Sequence, residues 1–204
     1  ISYEAEDAAT NGTLIGSSRK YLSMASEASG RQAVALKNTG DYLEFKLAKS
    51  ANSIVLRYSI PDSPDGAGAE ETLTLYVDGV KKQLKLTSKY AWEYGSYPWS
   101  NDPRQGSGHR FFDEIHALIG DTPAGATIRL EKGTGDKAAS YVIDLVDMEQ
   151  VAPELARPDE FISVTDFGAA ANDEGDDTAA FKAALAEANA TGKGVWFPAG
   201  TFNV

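Results

Sequence analysis

The stretch TLTLYVDGVKKQLKLT, residues 72–87, marks this chain as a β protein. Apolar and polar side chains alternate along its first half, which places Leu73, Leu75 and Val77 on one face. Alternation with a period of two is typical of a strand that packs one face against a core and leaves the other face in water. The pair Asp78-Gly79 then favours a tight turn. The stretch therefore predicts a β-hairpin whose second strand covers Lys82–Thr87.

The same alternation recurs on both sides of the hairpin. Leu43, Phe45 and Leu47 share one face of a segment over 41–47, and the apolar residues at 54, 56, 58 and 60 share a face of the next segment. About nine short strands separated by turns fill residues 1–150, and no convincing helix lies among them. The pattern predicts a mainly β protein in which residues 1–151 form an antiparallel β-sandwich of the jelly-roll type.

The pattern changes after Val151. Residues 152–161 are polar and contain two prolines, which predicts a linker. Residues 162–204 then combine short strands with one alanine-rich helix, predicted over Thr178–Asn189. This helix has cap candidates at both ends: Asp176, Asp177 and Gly192.

The charge of the chain limits its partners. The 204 residues carry a formal net charge of −11 and no cysteine. Nucleic acid and anionic membranes repel an acidic chain, so we expect neither as a partner. The charge suits a neutral or cationic ligand and supplies carboxylates for calcium. Without cysteine there is neither a disulfide framework nor a thiolate metal site, and no stretch reaches the roughly 18 apolar residues of a membrane span.

Aromatic residues are concentrated in YAWEYGSYPW, residues 90–99, next to the polar stretch SNDPRQGSG. Gly95 and Pro98 interrupt a regular strand, which favours a loop. The C–H face of a sugar ring packs on an aromatic ring while neighbouring amides bond its hydroxyl groups. The loop is therefore a candidate carbohydrate-binding site; the alternative is that its rings plug the core of the sandwich. The candidate residues are Trp92, Tyr94, Tyr97, Trp99 and Asn101.

The first 150 residues resemble the carbohydrate-binding modules of families 6 and 35 in three segments: YEAED at 3–7, DYLEF at 41–45 and IDLVDME at 143–149. Those modules hold a structural calcium ion between the first and last strands, so the resemblance implies Glu4 and Glu6 as calcium ligands. The closing ligand would be Asp144 or Asp147. Ca²⁺ takes several oxygen ligands, and side chains two positions apart on a strand point the same way. The alternative is that both glutamates are solvated on an acidic surface.

A second resemblance covers residues 164–204, which read VTDFGAAANDEGDDTAAFKAALAEA and, after three residues, GKGVWFPAGTFNV. The segment looks like the opening of a right-handed parallel β-helix of the pectate-lyase type with one capping α-helix; Lys193 departs from the glycine of that family. A solenoid needs about three coils to be stable, and this segment supplies about one. We therefore expect a truncated β-helix whose open sheet edge is available for self-association.

A sandwich, a linker and a β-helix in this order resemble the glycoside hydrolase family 87 enzymes, which include α-1,3-glucanases and mycodextranases. Together the resemblances imply a non-catalytic module that binds a neutral glucan such as α-1,3-glucan and targets an attached β-helix hydrolase to it. The alternative is a structural domain that docks on the β-helix and binds no sugar. In such modules sugars also bind sheet faces, where Tyr58 and Tyr76 are the second choice. We expect a secreted, extracellular bacterial protein.

No catalytic residue is predicted within the chain. Hydrolysis of a glycosidic bond needs two carboxylates roughly 5–10 Å apart, and in a β-helix enzyme these would lie on later coils. Asp113 and Glu114 are a tempting pair, but neighbours along a strand point to opposite faces. His109 and His116 lack the spacing of an HExxH metal site. We therefore expect no activity from this chain alone and a parent that is a glycoside hydrolase.

Overall fold

The computed structural model describes residues 1–91 and 111–204. The chain forms two compact units, Ile1–Val151 and Ala152–Val204. The described part of the first unit contains eleven strands: β1 Ser2–Glu4, β2 Ala9–Thr10, β3 Thr13–Gly16, β4 Gln32–Leu36, β5 Tyr42–Lys46, β6 Ala51–Ser59, β7 Glu70–Val77, β8 Val80–Thr87, β9 Asp113–Thr122, β10 Thr127–Glu131 and β11 Tyr141–Glu149. It also contains a one-turn helix, α1 Met24–Glu27, and 3₁₀ turns at Ala5–Asp7 and Ser29–Arg31.

Two antiparallel sheets make up the first unit, as predicted. One has the order β3-β4-β11-β6-β9, with β1 also paired to β11, and the other has the order β2-β5-β10-β7-β8. Their inward faces share one apolar core, in which Ile54 and Leu56 of the first sheet and Leu73 and Leu75 of the second are fully buried. The alternation read from the sequence therefore identified the core face correctly.

The predicted hairpin is present between β7 and β8. Val77 pairs with Val80, and the two residues between them, Asp78 and Gly79, have φ values of 50° and 82°. Both residues lie in the left-handed region, which gives a two-residue turn whose twist matches that of the flanking strands. The turn is where the sequence predicts it, and the second strand begins at Val80, two residues before the predicted start at Lys82.

Two buried residues correct the sequence predictions. Tyr58 was a second-choice sugar platform, yet it is fully buried and belongs to the core. Thr74 was predicted to face water, yet it is 1% exposed. The chain between β10 and β11 covers this threonine, because the Asp136 carboxylate accepts hydrogen bonds from both its backbone N–H and its hydroxyl group.

The second unit contains the parallel pairing typical of a β-helix. Strand β12, Phe161–Ser163, pairs in parallel with β13, Gly194–Trp196. A 3₁₀ turn, Val164–Phe167, follows β12 directly. Helix α2, Thr178–Thr191, then ends at Gly192, whose φ is 70°. The mainly β fold class with a β-helix opening is confirmed.

The inner face of helix α2 consists of alanines. Ala180, Ala184 and Ala188 are buried, which lets the helix approach the sheet closely. The predicted N-cap candidates divide their roles: Asp176 accepts from the Thr178 N–H at 2.9 Å, whereas Asp177 accepts from the N–H groups of Ala170 and Asn203. Within the described residues no helix is long and apolar enough to cross a membrane.

Asp41 stabilises the turn between β4 and β5. Its Oδ2 atom accepts hydrogen bonds from the backbone N–H groups of Asn38 and Lys37, each at 2.8 Å. These bonds lower the pKa of Asp41 below its ordinary value, and the bond from the Asn38 N–H has the larger effect. The ionised carboxylate therefore stabilises the fold above the unfolded-state pKa of about 3.9, and this stabilisation is lost as the pH falls through the lower folded-state pKa.

We expect Asp41→Asn to lower the free energy of unfolding by about 1 kcal/mol at pH 7, because an amide accepts these bonds less strongly than a carboxylate does. The difference from the wild type should shrink as the pH falls below about 4, where the wild-type carboxylate becomes protonated. Thermal melts of both proteins between pH 7 and pH 2.5 measure it. A difference that stays constant to pH 2.5 would contradict the assignment.

Candidate functional site

The aromatic loop proposed for sugar binding is not among the described residues. Trp92, Tyr94, Tyr97, Trp99 and Asn101 all lie within 92–110, so their assignment stays a prediction. Of the aromatic stretch only Tyr90 is described, and 78% of its surface is exposed. An open cleft of about 670 Å³ adjoins Tyr90; its lining includes Glu71, Lys85 and Lys137.

Tyr76, the other second-choice platform, lies on the outer face of the second sheet. It lines a shallow cleft of about 420 Å³ together with Glu44, Arg129 and Glu131. The guanidinium group of Arg129 donates from Nε to Glu131 at 2.8 Å and lies 3.7 Å from the ring centre of Tyr42. The polar groups of this face are therefore largely engaged with one another.

The acidic residues at the start of the chain are close together, but not through the predicted strand. Strand β1 ends at Glu4, and Glu6 lies in the following 3₁₀ turn, so the two glutamates do not share one face of a strand as expected. Glu6 nevertheless approaches the Ser29–Arg31 turn: a Cβ atom added to Gly30 would lie 2.9 Å from Glu6 Oε1. Gly30 has a φ of 55°, a conformation that suits glycine.

Ser29 joins two of the predicted ligands. Its hydroxyl group donates to Glu4 Oε1 at 2.8 Å, and its backbone N–H donates to Asp144 Oδ1 at 2.9 Å. The second oxygen of Asp144 contacts the guanidinium group of Arg57. Sequence analysis missed both partners, because Ser29 lies in a small polar segment that reads as loop and Arg57 occupies an ordinary outward position of β6.

Burial acts on the charges of this cluster. Asp144 is fully buried, and burial raises its pKa although the Ser29 N–H and Arg57 oppose the rise. Burial also raises the pKa of Glu6, and the negative charges of Glu4, Asp7 and Asp144 raise it further. The Oε2 atoms of Glu4 and Glu6 are buried without a hydrogen-bond partner, which is costly for carboxylates unless a cation compensates.

The structure separates the two candidates for the closing ligand. Asp144 lies with Glu4 around Ser29, whereas Asp147 accepts a hydrogen bond from the hydroxyl group of Ser2. In residues 1–91 and 111–204, no group of three or more His, Cys, Asp or Glu side chains could together hold a metal ion. A cation here would therefore need main-chain, hydroxyl or water oxygens besides two carboxylates.

Comparison with known proteins identifies the family. Residues 1–151 match the model of the α-1,3-glucanase catalytic domain D1. This chain belongs to the α-1,3-glucanase catalytic domain family. Residues 161–204 match the rhamnogalacturonase A/epimerase, pectate lyase-like model. A search of curated protein sequences gave no match.

Solved α-1,3-glucanase structures match across both units. The Agl-KA catalytic domain is 38% identical with a TM-score of 0.87, covering 99% of this chain and 36% of that chain. The catalytic unit of a family 87 α-1,3-glucanase from Streptomyces thermodiastaticus is 37% identical with a TM-score of 0.79. The match covers 99% of this chain and 35% of that chain. A family 87 catalytic domain in complex with tetrasaccharides is 29% identical with a TM-score of 0.76. The match covers 98% of this chain and 35% of that chain. The chain thus spans about a third of the length of these relatives.

The family assignment corrects the function predicted from sequence. The expected non-catalytic binding module is wrong, because the sandwich of residues 1–151 matches a domain of the α-1,3-glucanase catalytic unit. The resemblance to carbohydrate-binding modules of families 6 and 35 is not confirmed, whereas the resemblance to family 87 is.

The carboxylate pair considered in the sequence analysis lies on strand β9. Asp113 pairs with Tyr58, and Glu114 pairs with Arg57 of the neighbouring strand. Glu114 Oε1 lies 3.7 Å from Arg57 Nε, and Asp113 Oδ1 accepts from the Glu114 N–H. As consecutive strand residues they project to opposite faces, so they cannot flank one glycosidic bond.

Proposed function

We propose that this chain is part of the catalytic unit of an enzyme that hydrolyses α-1,3-glucan. The observation that carries the proposal is the 38% identity to the Agl-KA catalytic domain over 99% of the chain, at a TM-score of 0.87. The match spans both the sandwich and the β-helix opening, so it supports a shared catalytic unit and not only a shared fold.

The ligands of the relatives support the substrate class. Family 87 catalytic domains with single aspartate-to-alanine substitutions have been solved with tetrasaccharides and with nigerose. Glycoside hydrolysis uses two carboxylates on either side of the scissile bond. We propose that these lie on β-helix coils beyond the residues of this chain, and that the chain supplies the sandwich and the first coil.

Activity measurements on two lengths of the protein test the proposal. A protein that adds the following β-helix coils should release reducing ends from α-1,3-glucan, whereas the 204-residue chain should be at least about 10³-fold less active, because it lacks both reacting carboxylates. Amylose and β-1,3-glucan are the control substrates.

Two results would contradict different parts of the proposal. Turnover by the 204 residues alone would place the reacting carboxylates within this chain. Activity of the longer protein on a control substrate but not on α-1,3-glucan would refute the substrate.

We further propose that Glu4 and Glu6 bind a structural Ca²⁺. The buried Oε2 atoms of both residues, which have no hydrogen-bond partner, fit a hard cation. The ion would neutralise buried negative charge between β1 and the Ser29–Arg31 turn and would take no part in hydrolysis. Titration calorimetry of the chelator-treated chain with CaCl₂ detects the binding.

We also propose that the enzyme acts outside the cell. A glucan polymer outside the cell is too large and polar to cross a membrane, so an enzyme that uses it has to act outside. Assay of glucanase activity in culture medium and washed cells tests this, and activity confined to the cell lysate would contradict it.

A further inference from the structure

Four strands stand at the ends of the two sheets, and three of them are poor templates for pairing with another chain. Strands β2 and β3 are only two and four residues long. The pairing of β9 with β6 shifts register between Ala51 and Ser53. Short edge strands and local irregularities are two ways in which proteins keep a sheet edge from pairing further. The fourth edge strand, β8, has neither feature.

Strand β8 offers a long and regular edge. It pairs with β7 over all eight of its residues without a register shift. No strand within residues 1–91 and 111–204 pairs with its other side. Residues 80–83 at its start are all exposed. The unpaired N–H and C=O groups of such an edge are a template for an identical strand, so the partner that this edge fits is a second copy of the chain.

The side chain of Lys82 lies on the core face of this edge. Lys82 pairs with Leu75 of β7. The next residue on the same face of β8 is Leu84, which pairs with Leu73. All three leucines are buried, whereas Lys82 is exposed. Residues directly opposite each other on neighbouring strands share a face, so the alternation of β7 and β8 calls for an apolar residue at position 82.

We propose that Lys82 keeps the β8 edge from pairing with a second copy of this chain. If two β8 strands paired antiparallel, the core face of one sheet would continue into the core face of the other. The Lys82 ammonium groups would then lose part of their water over an apolar layer and gain no opposite charge, which is unfavourable. A charge on the inner face of an edge strand is one of the ways in which proteins protect such an edge.

Sedimentation velocity of the 204-residue chain over a range of protein concentrations tests the proposal. Lys82→Val should associate at least about 100-fold more tightly than the wild type, because it removes the cost of desolvating the ammonium groups and completes the apolar face of β8. Comparison with the wild type accounts for any association through other parts of the chain.

Lys81→Val and Lys82→Arg are the matched controls. Lys81 pairs with Tyr76 on the outer face of the sheet, where its charge stays in water whether or not two copies pair. Its removal should therefore leave association as in the wild type. Lys82→Arg keeps the charge on the core face and should also behave as the wild type does. Circular dichroism should show that all three variants fold, because both positions are exposed and valine favours strands.

Hydrogen exchange locates the contact. In Lys82→Val the backbone amides of residues 80–87 should exchange more slowly at high protein concentration than at low, because the N–H groups of the edge become hydrogen-bonded to the second copy. In the wild type the exchange of these amides should not depend on concentration.

Three results would overturn the proposal. Sedimentation of Lys82→Val like the wild type at every concentration would show that the lysine prevents no association. Equal association of Lys81→Val and Lys82→Val would assign the effect to net charge and not to the core face. Protection of a segment other than residues 80–87 in Lys82→Val would place the contact elsewhere. None of these results bears on glucan hydrolysis, which the activity assay tests separately.

Discussion

Tyr58→Ala should lower the free energy of unfolding of the first unit by about 3–5 kcal/mol, as expected when a large aromatic side chain is removed from a packed core. Tyr58 is fully buried among residues of both sheets. Its hydroxyl group donates to the Thr87 carbonyl oxygen and accepts from the Thr87 N–H, each at 2.8 Å. Tyr58 belongs to β6 and Thr87 to β8, so one side chain connects the two sheets. Urea unfolding followed by far-ultraviolet circular dichroism measures the change.

Tyr58→Phe separates packing from hydrogen bonding at this site. It keeps the ring and removes only the hydroxyl group, so it should cost about 1–3 kcal/mol for the two Thr87 groups left without a partner. Burial also raises the pKa of Tyr58 to about 12, so the hydroxyl group stays protonated at neutral pH. A loss below about 1 kcal/mol for Tyr58→Ala would show that this position does not lie in a packed core.

Asp136→Ala should lower the free energy of unfolding by about 3–4 kcal/mol. The carboxylate is 4% exposed and accepts four hydrogen bonds, from the Thr72 hydroxyl group, the Thr74 hydroxyl group, the Thr74 N–H and the Gly133 N–H. Alanine would leave two buried N–H groups without a partner, and each such group costs about 1–3 kcal/mol. The same urea unfolding experiment measures the effect.

Asp121→Ala is the control for charge alone. Asp121 is exposed on β9, and its removal should change stability by no more than about 0.5 kcal/mol. Asp136→Asn should fall between the control and Asp136→Ala, because its amide oxygen keeps part of the acceptor capacity. Equal losses for Asp121→Ala and Asp136→Ala would show that the four bonds do not hold the loop between β10 and β11.

Most of the sandwich could be predicted from residue patterns, because the alternation of apolar and polar residues along each strand shows which of its faces is buried. The apolar positions of β6 and β7 alternate with a period of two, and the structure buries them as predicted. The burial of Thr74 could not be predicted in this way, because the residue that covers it, Asp136, lies 62 residues further along the chain. Local alternation carries no information about a distant loop that closes over a polar face.

The acidic cluster could be only partly predicted for the same reason. Through a resemblance the sequence pointed to Glu4, to Glu6 and to either Asp144 or Asp147. The hydrogen bonds that distinguish Glu4 from Asp144 come from Ser29 and Arg57. Ser29 is 25 residues from Glu4 and 115 from Asp144, and Arg57 is 87 residues from Asp144. Which carboxylate oxygens remain free was therefore decided by strand pairing and not by spacing.

By itself the sequence determined the β class, the hairpin at Asp78-Gly79 and the end of helix α2 at Gly192. Each of these depends on residues close together in sequence, where periodicity and backbone preference act directly. The tertiary structure alone decided that Asp136 covers Thr74 and that Asp144 faces Arg57. Burial and charge compensation depend on neighbours in space, and pairing of distant strands creates those neighbours.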